Sequence, residues 1–313
     1  ISLRLRAPQS GPAPFEAGRG CLWAIEHDFI ESSYSSLDRG MHSFLKATVA
    51  RRDLLLLRRR PEVSTDVQLN GDYGPFNDLA MRVAAARDLY LIIGPPGTGK
   101  TSYGMLTTVQ EELTRPDSNV LLLAYTNRAV DEICTKLLES GIEFIRLGST
   151  LGCAEAARPC LLQNKVGECA NSARLISEIK RHRVFVATTT AMNANSALFL
   201  LKQFSLGVID EASQLLEPQL LGILSATVNG HDCIRKFVLI GDHKQLPAIV
   251  QQTAAESAVT EECLHEIGLT DCRQSLFERL VRRYRHDPDV CRMLNRQGRM
   301  HHDIADFAAS NFY

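Results

Sequence analysis

No apolar run in the 313-residue sequence approaches the roughly 20 residues that span a bilayer, and no signal peptide opens it, so no membrane partner is expected. Its nine cysteines show no pairing pattern, which argues against a disulfide framework and suits reduced thiols in a cytoplasmic, intracellular protein. The spacing of Cys153, Cys160 and Cys169 matches no common zinc pattern. An excess of one charge is also missing. With a net charge of −1, a polyanionic partner has to be held by a local surface rather than by a basic body. There is no internal repeat and no low-complexity tract. What remains is the composition of a soluble globular protein, 45% apolar and 23% charged, long enough for one large domain or two ordinary ones. The chain starts at Ile1 and stops at Asn311-Phe312-Tyr313, as expected of a piece of something longer.

Against these absences one string stands out. Gly94-Pro95-Pro96-Gly97-Thr98-Gly99-Lys100-Thr101 fits the phosphate-binding pattern G-x-x-x-x-G-K-[ST] at every fixed position. It follows Leu89-Tyr90-Leu91-Ile92-Ile93, a short buried strand by its composition, and precedes a helix-compatible segment. Glycines let the backbone curl so that its N–H groups face phosphate oxygens, and the helix N-terminus adds a favourable dipole. Lys100 suits the β- and γ-phosphates, and the Thr101 hydroxyl suits Mg²⁺. The pattern therefore predicts a nucleoside triphosphate site.

Residues 1–70 differ in character and are expected to form an accessory segment. Leu22-Trp23-Ala24-Ile25 reads as a strand. Leu37, Met41, Phe44, Leu45 and Val49 recur at helical spacing, with Ser36 as a candidate cap. The basic residues Arg51-Arg52 and Arg58-Arg59-Arg60 are either a nucleic-acid contact or a solvated helix face. The turn-rich Asn70-Gly71-Asp72-Tyr73-Gly74-Pro75 marks a boundary. Beyond it, further apolar strands at Val120–Tyr125, Val184–Ala187, Leu206–Ile209 and Phe237–Ile240 alternate with helical patterns, among them Val130, Ile133, Leu137 and Leu138. Continuous apolar strands separated by helices indicate a parallel α/β sheet covered on both faces.

Ligands of open parallel sheets bind beyond the carboxyl ends of the strands. Each predicted strand here runs straight into polar residues: the phosphate loop, Thr126-Asn127-Arg128, Thr188-Thr189-Thr190, Asp210-Glu211-Ala212-Ser213 and Gly241-Asp242-His243-Lys244-Gln245. Asp210 suits Mg²⁺, directly or through water, and Glu211 suits the orientation and deprotonation of an attacking water. Gln245 is placed to hydrogen-bond a γ-phosphate or that water.

The ordered strings GPPGTGKT, TNRAVDEI, ATTTAM, VIDEASQ, IGDHKQLP, SLFERL and QGRMHHDIADF resemble superfamily 1 helicases over residues 76–313. The branch they look most like is the 5′-to-3′ group related to the nonsense-mediated-decay RNA helicase. The resemblance implies a RecA-like P-loop lobe at 71–296 and the start of a second RecA-like lobe at 297–313. It also implies ATP and Mg²⁺ as cofactors and single-stranded DNA or RNA as the track. Thr126, Asn127, Thr188, Thr189 and Thr190 take the track-lining positions, and Arg299 that of an arginine reaching the γ-phosphate. Three positions depart from the pattern: Gly298 replaces a base-stacking tyrosine, His302 a proline, and Ala80 an adenine-reading glutamine, with Asn77 aligned nearby. Two other readings stay open, an AAA+ mechanical ATPase acting on proteins and a nucleotide-gated clamp that holds nucleic acid without moving.

Overall fold

The computed structural model describes residues 34–167, 171–298 and 300–313. The predicted strand at Leu22–Ile25, Cys169 and Arg299 lie outside them. Seven strands form one parallel sheet: β1 (Leu89–Ile93), β2 (Val120–Ala124), β3 (Ile145–Arg146), β4 (Val184–Thr188), β5 (Phe204–Ile209), β6 (Ile234–Gly241) and β7 (Cys291–Met293). Their order across the sheet is β3-β4-β2-β5-β6-β1-β7. The five predicted strands are all present. The two additional ones, β3 and β7, are short edge strands whose few residues carry no periodic signal.

Alternation along β1 shows both faces covered. Leu89, Leu91 and Ile93 join one core cluster, while Tyr90 and Ile92 join the other. The second face is packed by helices α3 (Asn77–Ala85), α4 (Leu106–Leu113) and α5 (Asn127–Glu139), through Leu79, Val83, Val109, Val130, Ile133 and Leu137. The predicted fourth member of the α5 face, Leu138, is 42% exposed; Cys134 takes its place in the core. On the first face lie α2 (Val49–Leu55), α6 (Thr189–Ala194), α7 (Glu217–Leu224) and α8 (Leu276–Tyr284). The chain ends in α9 (His302–Phe312). Among the described residues no helix is long and apolar enough to cross a membrane.

The amino-terminal part of the described chain is built into this core. Leu54 and Leu55 of α2 belong to the same cluster as β1, and Ser33–Tyr313 form one compact unit. The turn at 70–73 is bolted to α4: Asn70 N, Gly71 N and Tyr73 Oη all donate to the buried Glu111 carboxylate, at 3.1, 3.2 and 2.9 Å. The predicted apolar face of the first helix is corrected. Helix α1 spans Tyr34–Lys46, so Ser36 lies inside it, and Val49 belongs to α2. Of that face Phe44 packs against the core, but Met41, Leu45 and Val49 are exposed, whereas Gly40 is buried against Gly222 of α7. A Cβ on Gly222 would meet Gly40 Cα at 2.9 Å, so the crossing of α1 and α7 relies on two glycines rather than on an aliphatic stripe.

Candidate nucleotide site at the strand ends

Beyond β1 the backbone turns through two left-handed glycines, Gly97 (φ 78°) and Gly99 (φ 77°), conformations that a side chain disfavours. Lys100 folds back over Gly94, where a Cβ would lie 1.9 Å from Lys100 Cγ. Gly94 is thus required for the path of the lysine. The loop is closed internally by Thr98 Oγ1, which donates to Pro95 O at 2.7 Å. The following helix opens as a π-helical turn, Lys100–Met105, in which Gly104 N donates to Gly99 O, and then continues as α4.

Because β6 lies between β1 and β5, one strand separates the phosphate loop from Asp210 and Glu211. That spacing brings the two groups together. Thr101 Oγ1 donates to Asp210 Oδ2 at 2.6 Å, and Lys100 Nζ pairs with Glu211 Oε1 at 3.0 Å. Asp210 is 2% exposed, and burial, with the neighbouring Glu211 charge, raises its pKa above the ordinary carboxylate value although the Thr101 hydroxyl opposes the shift. Glu211 has φ 52°, the left-handed region for a residue with a side chain, and its N–H donates back to Asp210 Oδ1 at 2.9 Å. A strained residue at a strand end is a common mark of a functional position.

The strand between them ends in the same network. Gly94 N donates to Gly241 O at 2.9 Å, and Asp242 N donates to Ser213 Oγ at 3.3 Å, so the ends of β1, β6 and β5 are tied together. Asp242 is fully buried and accepts from Gln245 Nε2 at 2.8 Å and from the Tyr313 hydroxyl. In the sequence Gln245 carries a role, whereas Asp242, the group that fixes its amide, is only a member of the same strand-end string. Its signal is an acid within the same string, directly after an apolar strand.

The track residues divide. Thr126 and Thr188 cap α5 and α6, their hydroxyls accepting from Ala129 N at 3.2 Å and Ala191 N at 3.0 Å. Thr126, Asn127 and Thr190 are exposed and Thr188 is half-buried. Thr189, placed on the track by the sequence reading, is 2% exposed and packs inward, because the first turn of α6 rotates it toward the core. On the other side of the loop a cavity of about 210 Å³ is lined by Phe76, Thr98, Leu294 and Arg296. Phe76 stacks on Tyr103 with ring centroids 4.9 Å apart. Asn77 is committed locally: its Oδ1 accepts from Tyr73 N and its Nδ2 donates to Asp72. Gly298 N reaches the loop, donating to Gly97 O at 3.1 Å.

With this geometry in place, comparison with known proteins is decisive. A family model described as AAA domain matches residues 77–183 and 170–253, more than half of the chain. The chain belongs to that family. Its curated relatives include proteins named as DNA helicases, two of them helicase/nucleases. It is 31% identical, over all of its length, to the DNA replication ATP-dependent helicase/nuclease JHS1 of Arabidopsis thaliana. It is 32% identical over 73% of its length to the DNA replication ATP-dependent helicase/nuclease DNA2 of Homo sapiens. It is 29% identical over 83% of its length to the DNA polymerase alpha-associated DNA helicase A of Schizosaccharomyces pombe. The chain spans 22%, 20% and 43% of those three proteins. Among solved structures, the UvsW helicase from bacteriophage T4 aligns with a TM-score of 0.37 and 13% identity, over 72% of this chain and 66% of that one. The fold assignment rests on the order and direction of the strands.

Proposed function

We propose that this chain is the first RecA-like lobe, 71–296 with its amino-terminal helices, of an ATP-dependent motor that tracks single-stranded nucleic acid. One observation carries the reading: Thr101 with Asp210, and Lys100 with Glu211, converge at the mouth of one phosphate loop. The hydroxyl and the buried carboxylate form a hard oxygen pair that fits Mg²⁺. When bound, that ion would neutralise charge on the phosphate oxygens. Backbone N–H groups of the loop would hold the phosphates, and Lys100 would exchange Glu211 for phosphate oxygen. Glu211, so released, would orient water and accept its proton. Gln245, anchored on Asp242, would register the terminal phosphate at the end of β6.

Thr126, Asn127, Thr188 and Thr190 share this edge and offer short polar groups suited to a phosphodiester backbone without choosing a base. DNA is favoured over RNA by the names of the relatives, and 5′-to-3′ movement by the resemblance to the branch related to the nonsense-mediated-decay RNA helicase. Residues 297–313 begin the second lobe in this reading, which delivers Arg299 to the γ-phosphate; the Gly298–Gly97 hydrogen bond already brings that segment to the loop. Base recognition is loose, because Asn77 is engaged locally and Gly298 has no ring to stack. The test is steady-state ATP hydrolysis by this chain with and without single-stranded DNA or RNA, against Lys100→Ala. A Lys100-dependent rate that is feeble alone and rises once the chain is extended at its carboxyl end supports half a motor. Absence of any Lys100-dependent hydrolysis in the extended protein overturns the reading.

A further inference from the structure

At the amino ends of the strands, the edge opposite the phosphate loop, lie two adjoining cavities of about 410 and 500 Å³ that share Arg59. Their linings hold nine basic side chains against four carboxylates, in a chain whose net charge is −1. The location follows from the flanking acids. Arg59 pairs with Asp88, the residue before β1, at 2.6 Å, and Arg60 forks onto Asp287, just ahead of β7, at 2.8 and 2.9 Å. The five residues of β1 lie between Asp88 and Gly94, which are therefore about 20 Å apart along the extended chain. This face is therefore distinct from the nucleotide site.

Structural pairing does not use up its charge. The side chains of Arg58, Arg87 and Arg283 are exposed and have no hydrogen bond or ion pair among the described residues. Arg51, which lines the larger cavity, is 3% exposed, and its Nη1 has no hydrogen-bond partner although its other nitrogens bond Asp232 and Ile234 O. Burial accordingly lowers the Arg51 pKa from the usual arginine value. Guanidinium groups present planar forks that match phosphate oxygens two at a time. More cations line the two cavities than one phosphate group employs, and the cavities adjoin at Arg59.

We infer that this basic edge holds a second segment of nucleic-acid backbone, away from the track at the carboxyl ends of the strands. The inference rests on the reading of the chain as a nucleic-acid motor. Contacts of this kind are sequence-independent and salt-sensitive, because each neutralised phosphate releases counterions.

The test is fluorescence titration of a labelled single-stranded oligonucleotide with wild-type protein and the double variant Arg58→Ala/Arg283→Ala, across a salt series. Both side chains are exposed and unpartnered, so folding and nucleic-acid-free ATP hydrolysis should stay as in the wild type. The expected result is binding weaker by roughly tenfold at low salt for every sequence tried, with the slope of log K against log salt shallower by about 1.4. Wild-type binding with an unchanged slope in the variant overturns this inference and leaves the motor reading standing. No oligonucleotide binding by the wild type overturns this inference, while the motor reading is decided by Lys100-dependent hydrolysis in the extended protein. Poly-glutamate binding that depends on Arg58 and Arg283, without an effect on the oligonucleotide, assigns the face to an acidic polypeptide and overturns the inference as well.

Discussion

Lys100 Nζ lies 3.0 Å from Glu211 Oε1, so the cation of the phosphate loop and the carboxylate at the end of β5 form one ion pair. In the proposed reading each group is thereby held where a phosphate and a water would meet it. Glu211→Gln keeps the shape but removes both the charge and the base. We expect ATP affinity to be retained or improved, since Lys100 no longer has to leave a carboxylate, while the hydrolytic step slows by about 10² to 10⁴. Single-turnover hydrolysis beside a fluorescent-nucleotide titration separates the two effects. Wild-type turnover in this variant would remove Glu211 from its role.

The backbone at the same residue supplies a second prediction. Glu211 occupies φ 52°, where glycine is at ease and alanine is not. Glu211→Gly and Glu211→Ala both lose the ion pair and the base, so their difference isolates backbone strain. The glycine variant should be the more stable by about 1 kcal/mol in urea unfolding, the reverse of the usual cost of glycine. Equal stabilities would mean that the strand-end turn relaxes freely.

Much of this site is legible in the sequence, and the reason is physical. Phosphate loops need particular glycines at particular offsets, and buried parallel strands need continuous apolar runs, so Gly94–Thr101 and the five central strands announce themselves. What is hidden depends on three-dimensional neighbours. The edge strands β3 and β7 are too short for a period. Helix α1 looks amphipathic through Met41 and Leu45, yet it packs through Gly40 beside Phe44, because only the facing Gly222 makes that side approachable. Thr189 reads like its neighbours Thr188 and Thr190, and only the rotation of the first turn of α6 turns it inward. Asp242 carries no motif label and matters because Gln245 leans on it.

The glycine crossing itself is testable. A Cβ on Gly222 would fall 2.9 Å from Gly40 Cα, and one on Gly40 would fall 3.0 Å from Gly222 N, both backbone atoms that cannot swing aside. Gly222→Val should therefore push α1 off α7 and cost about 1–3 kcal/mol of stability. Gly222→Ala in the same series should fall between the wild type and the valine variant. Denaturant midpoints give the order. A valine variant as stable as the wild type would show that α1 rides on α7 without close contact.

A buried lysine makes the stability of the chain depend on alkaline pH. Lys236 is 4% exposed and donates from Nζ to Val83 O at 3.0 Å, while burial lowers its pKa to about 8 against the opposing pull of Glu112, 3.8 Å away. In the unfolded chain the same group titrates near 10.4. Below pH 8 both states carry the proton and the folded state bears the full cost of the buried charge. Between about pH 8 and 10.4 the unfolded chain binds more protons than the folded one, so the contribution of this group to stability rises with pH. Lys236→Met removes that dependence. The unfolding free energy of the wild type relative to the variant should therefore climb by up to about 3 kcal/mol across this window, measured by urea unfolding at fixed ionic strength. A flat difference would mean that Lys236 keeps an ordinary lysine pKa in the folded protein, with water reaching its ammonium group.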